Sequence, residues 1–474
     1  MKSADIQHLY NRIGFGITPT ELKRLSKKSK KSVVNELFTA SEKTTKITVD
    51  TSFIKDKTYK DFKENRKELQ KISRKKVLEF GTLWFNRLKN PSEILREKMT
   101  LFWANHFVCE SKNILFIQSY NNVLRKNALG NFKDFTKTVS KEAAMLNYLN
   151  NKQNRKESPN ENFARELMEL FTLGQDNYTE TDIKESARAF TGYNHKFKGE
   201  FNFRAKHHDE NKKTFFGKSG NFNGDDIIDI ILEQKQCARF ISEKIYSYFV
   251  HENINKKHID EMVSVFYKDY NIENLMRFVL LSKWFYADEN IGTKIKSPIE
   301  FLVGMNTIVP YKIEKAKQLF WVQKMLGQVL LSPPNVAGWK TGRNWIDSNT
   351  IVTRLRLPSI LLNNAEIAYS EIGDEETMIT DFNNCYRLFN GEGDGLAGLV
   401  CDVYASVAVI QCDGYGAEQF WDLEVIGSWI LNKKIVHLNS AIKHSAFNPN
   451  SEETKRFKTS TLKYDYFSRH PLCS

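Results

Sequence analysis

The clearest sign of a helical protein is the stretch SPNENFARELMELF, residues 158–171. Its start is typical of a helix N-terminus, because Ser158 can cap the first turn, Pro159 suits the first helical position, and Glu161 can complete a capping box. At about 100° per residue, the apolar side chains fall on one side of the helix and the charged ones on the other. Gly174 is a suitable residue to end it. The stretch therefore predicts an amphipathic helix packed against a core.

Helical patterns dominate the chain to about residue 370. The helix after Gly174 repeats the same signals, with Thr179 as its cap, Asp182 three residues later and Gly192 at its end. Short aromatic runs between residues 201 and 216 interrupt the pattern and predict a small hairpin or ordered loop between helices. Paired prolines at 333 and 334 predict a rigid loop.

The composition changes near residue 373. Four glycines between Arg387 and Asp413, with an apolar run at 407–410, are typical of turns and strands rather than helices. We therefore predict a mainly α fold: a large multi-helix domain with a small inserted hairpin, followed by a short β-rich C-terminal segment. The predicted boundaries are 1–372 for the helical domain, 373–430 for the β-rich segment, and 431–474 for a tail that we expect to be poorly ordered.

Length and composition fit a protein with its own apolar core. The chain has 474 residues, of which 41% are hydrophobic, and its six cysteines are widely spaced without any Cys-x-x-Cys pair. This spacing indicates free thiols rather than a disulfide framework or a zinc site. No run approaches the roughly 18 apolar residues that a membrane-spanning helix needs. The first residues lack the apolar region of a secretory signal, which favours a cytoplasmic location.

Positive charge is concentrated at the start of the chain. Residues 1–100 hold 24 Lys and Arg against 12 Asp and Glu, a balance of +12 within the formal net charge of +13. Such an imbalance can attract nucleic acid or an anionic surface. The basic residues are nevertheless scattered among polar ones, as on a solvated helix surface. We therefore do not expect nucleic-acid binding, although an RNA-associated protein remains one alternative.

Three polar motifs stand among large apolar side chains and could carry chemistry. A neutral imidazole with two or three carboxylates is a reasonable ligand set for a divalent metal. The candidate catalytic residues are His106, Glu166, His208 and Asp209, the candidate metal ligands are His106, Glu161 and Glu169, and the candidate binding residues are Asn160, Arg165 and Trp339.

A structural interpretation competes with the chemical one. Glu161, Arg165 and Glu169 have the spacing of an ion-pair ladder on an exposed helix face. His106 lies in an aromatic helix, where a histidine is often a hydrogen-bonded core residue. Burying the polar motifs separately would leave unpaired groups, so we expect His106, the polar face of the 161–169 helix and the His208-Asp209 loop to share one place.

Residues 5–368 resemble a large bacterial family, domain of unknown function 1800. The resemblance rests on motifs in a fixed order: FWANHF at 102–107, LRKNALGNF at 124–132, PNEN at 159–162 through Leu173-Gly174, AFTG at 189–192, His208-Asp209, KSPIE at 296–300, and PPN to GW at 333–339. It implies no established reaction. Many relatives look exported and are encoded beside sulfatase-like proteins, which implies a possible partner of that kind and leaves the location open.

A second resemblance covers residues 384–422. The run YRLFNGEGDGLAGL at 386–399, with Gly416-Ala417-Glu418, is similar to the central segment of the large-subunit ribosomal-RNA cytosine methyltransferases. In that family a Rossmann domain for the cofactor follows. Here no strand, glycine-rich turn and helix of that kind follow. We expect a fusion or frame-shift scar that binds no S-adenosylmethionine.

Three functional hypotheses follow from the sequence. The first is a metal-dependent or hydrolytic enzyme that uses the His/Glu cluster. The second is a noncatalytic helical scaffold or partner-binding protein in which the same motifs hold helices together. The third is an RNA-associated protein. Convergence of the polar residues in a cleft would favour the enzyme, whereas their dispersal would favour the scaffold.

Overall fold

The computed structural model describes residues 1–308, 310–313 and 315–363, and the backbone of four strands between residues 385 and 439. The described part is mainly helical, which confirms the predicted class. Its α-helices are α1 Ser3–Ile13, α2 Pro19–Ser26, α3 Lys30–Ala40, α4 Ser52–Lys55, α5 Tyr59–Glu64, α6 Arg66–Lys89, α7 Ile94–His106, α8 Ile114–Asn127, α9 Phe132–Lys141, α10 Ala143–Tyr148, α11 Asn162–Glu166, α12 Glu180–Ala189, α13 Gly224–Glu233, α14 Lys235–Phe249, α15 Lys256–Phe266, α16 Ile272–Leu281, α17 Pro298–Ile308, α18 Ala316–Leu326 and α19 Ser348–Asn363.

Side-chain caps begin many of these helices. The predicted capping box of α12 is present, because the Thr179 hydroxyl accepts from the Asp182 backbone and the Asp182 carboxylate accepts from the Thr179 backbone. Asn223 and Asp226 form the same arrangement at the start of α13. Caps of this kind satisfy backbone N–H groups that have no partner inside the helix. The box at Thr179 explains why the sequence predicted the start of α12 correctly.

The helix predicted from residue 158 begins later and changes type. Ser158 does not cap it but forms an isolated bridge with Arg155, and the first helical residue is Asn162. After α11 the chain continues as a π-helix over Leu167–Thr172. It ends at Gly174 as predicted, at a positive φ of 82° that glycine adopts without strain.

The inserted hairpin lies later than the predicted 201–216. Its strands are β1 Lys213–Phe215 and β2 Lys218–Gly220, which pair antiparallel. Phe216 and Gly217 between them both have positive φ, as a tight type I′ turn requires. The aromatic pattern therefore indicated a hairpin but not its register, because Phe215 is buried while Phe216 occupies the turn.

One large apolar core joins the helices of the described part of the first unit, which contains residues 1–385 and 393–395. A small separate cluster of Ile295, Trp339 and Trp345 lies apart from it. Cys109 and Cys237 are buried free thiols. In the part of the chain that the structure describes, no helix is both long enough and apolar enough to cross a membrane.

The second unit contains residues 386–392 and 396–474. The chain forms strands β3 Cys385–Asn390, β4 Leu399–Tyr404, β5 Val407–Cys412 and β6 Val436–Asn439, in the order β3-β4-β5-β6. β4 and β5 are antiparallel, whereas β5 and β6 are parallel. The other residues of the predicted 373–430 segment and 431–474 tail lie outside the described residues, so those boundaries stay predictions.

Candidate functional site

A polar cleft opens between the C-terminal end of α7, the C-terminal half of α14 and two loops. The loops are residues 293–297, which precede α17, and residues 337–345, which contain Trp339. The cavity has a volume of about 270 Å³, near the lower end of the range for small-molecule sites. His106 and Trp339, both predicted site residues, line it together.

Asn105 attaches the Trp339 loop to α7. Its Oδ1 accepts a hydrogen bond from the Trp339 backbone N–H at 2.6 Å, and its Nδ2 donates to the Trp339 carbonyl at 3.4 Å. Gly338 has a φ of 88°, and a Cβ there would collide with Asn105 Oδ1. Glycine at 338 thus allows the loop to approach α7 closely.

His106 is a neutral, buried imidazole with one unused nitrogen. Only 3% of the residue is exposed, and Nε2 lies 3.0 Å from the Phe171 carbonyl oxygen. Because a carbonyl can only accept, we assign the ring proton to Nε2 and the lone pair to Nδ1. Burial, and then the charge of Lys244, lower the pKa of His106 well below its usual value. Nδ1 has no hydrogen-bond partner among the described residues.

Two half-buried lysines give the cleft its positive charge. Lys244 on α14 lies with Nζ 5.0 Å from the centre of the Phe240 ring, and burial lowers its pKa. It forms no ion pair with a carboxylate of the described residues. Lys294 donates to Glu300 at 2.7 Å and lies 3.9 Å above the Tyr248 ring. Burial lowers the pKa of Lys294 to about 7, although Glu300 favours its charged form.

Glu300 is fully engaged by its surroundings. Its carboxylate pairs with the buried Lys98 as well as with Lys294, and accepts from the Ser297 backbone N–H at 2.8 Å. These cations hold the pKa of Glu300 well below its usual value despite burial. Glu300 and Ser297 also cap α17, which explains the spacing of the 296–300 motif.

Two of the three carboxylates between residues 161 and 169 have partners outside the cleft. Arg165 pairs with Glu180 at 2.9 Å and with Glu161 at 3.4 Å, on an exposed surface. Glu169 accepts from the Tyr178 hydroxyl at 3.0 Å. Glu166 is half-buried, and burial followed by the charge of Glu169 raises its pKa.

The candidates His208 and Asp209 hold a loop beside α12, whereas Asn160 lies in the turn before α11. His208 Nδ1 lies 2.9 Å from the Thr191 carbonyl oxygen, and Asp209 pairs with Arg188 at 2.7 Å. The Asn160 side chain accepts from the Asn162 backbone N–H at 3.1 Å, at the start of α11. These contacts have the character of structural supports.

The expected single shared site is not what the structure describes. His106 meets the end of the 161–172 segment through the Phe171 carbonyl, not through its carboxylates. None of Glu161, Arg165, Glu166, Glu169, His208 and Asp209 lines the cleft. Within the described ranges, no three His, Cys, Asp or Glu side chains are placed to hold a metal ion, so the ligand set His106, Glu161 and Glu169 is not assembled there.

Sequence reasoning missed Lys244, Lys294 and Glu300. Glu300 lies in the KSPIE motif, where the spacing of Ser297 and Glu300 is that of a capping box and could have indicated it. The two lysines follow no motif, and only the folded arrangement shows that they face the same cavity as His106.

Comparison with known proteins yields one match. The model of the family described as a protein of unknown function, DUF1800, matches residues 8–455, further along the chain than the predicted 5–368. No curated protein and no solved structure matches the chain. The comparisons therefore lend no support to the methyltransferase resemblance of residues 384–422. Because the match spans most of the sequence and includes the segments that build the cleft, the chain belongs to the DUF1800 family.

Proposed function

We propose that the protein binds a small anionic molecule in the cleft between α7, α14 and the Trp339 loop. The observation that carries the proposal is Lys244, a half-buried ammonium that lines the cavity without a carboxylate partner among the described residues. A buried charge without a counter-charge is costly. An anionic ligand would supply the missing partner.

The other charged residues of the cleft also favour an anionic ligand. Arg12, Lys244, Lys294 and Lys340 line it, against the carboxylates of Glu252 and Glu300. Glu300 already has two lysine partners. Lys340 pairs with Asp347 at 3.4 Å, so the positive excess that remains is mainly that of Arg12 and Lys244. This excess, together with the small volume, favours a compact acid over a large or cationic compound.

Lys244→Met should weaken anion binding at least about tenfold, because a charge-assisted hydrogen bond contributes roughly 1.5–3 kcal/mol. Malate, inorganic phosphate and glucose 6-phosphate would be titrated, with glycerol and glucose as neutral counterparts, and followed by thermal shift and by tryptophan fluorescence. The matched control is Lys235→Met, an exposed lysine at the start of the same helix. Failure of every anion to bind, or equal loss in both variants, would contradict the proposal.

A hydrolytic or other proton-transfer enzyme is the second candidate, and Lys294 favours it. Its side chain is 17% exposed and lines the cleft, with a pKa of about 7. A group that titrates near neutral pH can both take up and release a proton during a reaction. A metal-dependent reaction at His106 would need ligands besides those that the described residues bring together.

The Lys294 amine is expected to titrate near pH 7. Lysines would be dimethylated with ¹³C-formaldehyde, and the chemical shifts of the methyl groups followed by NMR from pH 5 to 11. The resonance that titrates near pH 7 should be missing from Lys294→Met. Titration of the Lys294 resonance near the ordinary lysine value of about 10.4 would remove the basis for a proton-transfer role.

A further inference from the structure

We infer that the ligand of the cleft is a hydroxylated organic acid, with an O–H donor close to its anionic group. The inference rests on the proposed function, because it adds a second recognition element to an anion site. It depends on two side chains that line the cavity, each of which has a buried nitrogen without a partner among the described residues: His106 Nδ1 and Trp339 Nε1.

His106 can only accept through its free nitrogen. The Nε2–H group donates a hydrogen bond to the Phe171 carbonyl, so Nδ1 presents a lone pair. An anionic oxygen would be repelled by that lone pair, whereas a hydroxyl can donate to it. Leaving such a buried acceptor unpaired is unfavourable, which favours a ligand that brings a donor.

Trp339 offers the complementary group. The residue is 5% exposed, and its Nε1–H can only donate. It therefore suits an oxygen atom of the ligand, either a carboxylate oxygen or the oxygen of the same hydroxyl. Because the Asn105 contacts fix the Trp339 backbone, the position of this donor is set by α7, the helix that also ends in His106.

The Phe240 ring lies near both the Lys244 ammonium and the His106 ring. Its ring centre lies 6.5 Å from that of His106 and 5.0 Å from Lys244 Nζ. Because His106 and Lys244 also line the same small cavity, we expect one small molecule to reach both the ammonium and the imidazole. A plain carboxylic acid would satisfy Lys244 but leave His106 Nδ1 unpaired.

Matched acids test the inference. Malate and succinate differ by one hydroxyl, as do lactate and propionate, and each pair would be titrated by calorimetry. The hydroxylated member should bind at least about tenfold more tightly, because the site loses a hydrogen bond with the other. Equal binding within both pairs would overturn the inference and leave the proposed anion site intact. Absence of binding by all four acids would overturn the inference, and it would overturn the proposed function as well if inorganic phosphate and glucose 6-phosphate also fail to bind.

Two histidine variants assign the effect to Nδ1. His106→Gln keeps an amide N–H in the place of Nε2 but has no acceptor in the place of Nδ1, so the malate preference should fall to about twofold or less while succinate binds as before. His106→Asn places its amide near Nδ1 and should keep the preference. If either variant fails to fold, Trp339→Phe provides a second test, since loss of Nε1–H should weaken malate about tenfold. Unchanged selectivity in folded His106→Gln, or unchanged malate affinity in Trp339→Phe where His106→Gln fails to fold, would contradict the inference.

Discussion

Replacing Glu300 with alanine should lower the free energy of unfolding by about 3–5 kcal/mol, as expected when one member of a buried ion pair is removed. Lys98 and Lys294 would lose their shared carboxylate, and the Ser297 backbone N–H would lose its acceptor. Lys98 is the most costly of these groups, since its side chain is only 1% exposed. Urea unfolding followed by circular dichroism would measure the change.

An exposed ion pair provides the control for Glu300. Asp260→Ala removes the partner of Arg239 on the surface and should cost less than about 1 kcal/mol. A fall in pH should have a related effect, because the folded-state pKa of Glu300 is lowered. The contribution of Glu300 to the free energy of unfolding is fully present above the ordinary glutamate pKa of about 4.3 and is lost as the pH falls through the folded-state pKa. A cost for Glu300→Ala no larger than that of Asp260→Ala would show that the buried cations relax without their carboxylate.

Trp103→Ala should be comparably damaging, with a loss of about 3–5 kcal/mol. Trp103 is fully buried on α7, and its Nε1–H donates to the Ala128 carbonyl at 3.0 Å. Its ring lies 5.2 Å from that of His106 and 5.3 Å from that of Phe135, between centres. Alanine would leave a cavity under the cleft and an unpaired carbonyl. The measurement is again urea unfolding.

An exposed tryptophan shows whether the loss comes from burial. Trp321 on α18 is 56% exposed, so Trp321→Ala should change the stability by about 0.5 kcal/mol or less. Trp103→Phe keeps an aromatic ring but removes the Ala128 hydrogen bond, and should fall between the two. Equal costs for Trp103→Ala and Trp321→Ala would contradict the packing described for α7.

Local signals predicted the helices better than the site. The cap at Thr179 and the helix end at Gly174 depend on neighbouring residues, and both agree with the structure. The predicted helix start at Ser158 was wrong because a residue outside the predicted helix binds the backbone there: the Asn154 side chain accepts a hydrogen bond from the Asn160 backbone N–H at 2.9 Å. This hydrogen bond, with the Arg155–Ser158 bridge, holds a turn where the pattern predicted helix.

The sequence predicted a site residue only where the residue type restricts the environment that its side chain can occupy. His106 was identified as a histidine in an aromatic helix and Trp339 as an aromatic residue in the rigid loop after the paired prolines, and both line the cleft. Lys244 is important because no carboxylate among the described residues forms an ion pair with it, which no spacing along the chain reveals. Conversely, Glu161 and Arg165 form an exposed ion pair, as the structural interpretation of their helical spacing allowed.

The π-helix at Leu167–Thr172 has a consequence for how the segment tolerates length changes. A π-turn accommodates one more residue than an α-turn over the same rise, so it corresponds to a single-residue insertion within an α-helix. Deleting one residue there would restore α geometry: the residues that follow would keep their face of the helix, but the widened turn that carries the Phe171 carbonyl would be lost. The Phe171 carbonyl would then turn away from α7, and the proton of His106 would no longer be held on Nε2. The tautomer of a histidine on one helix is thus set by the residue count of another.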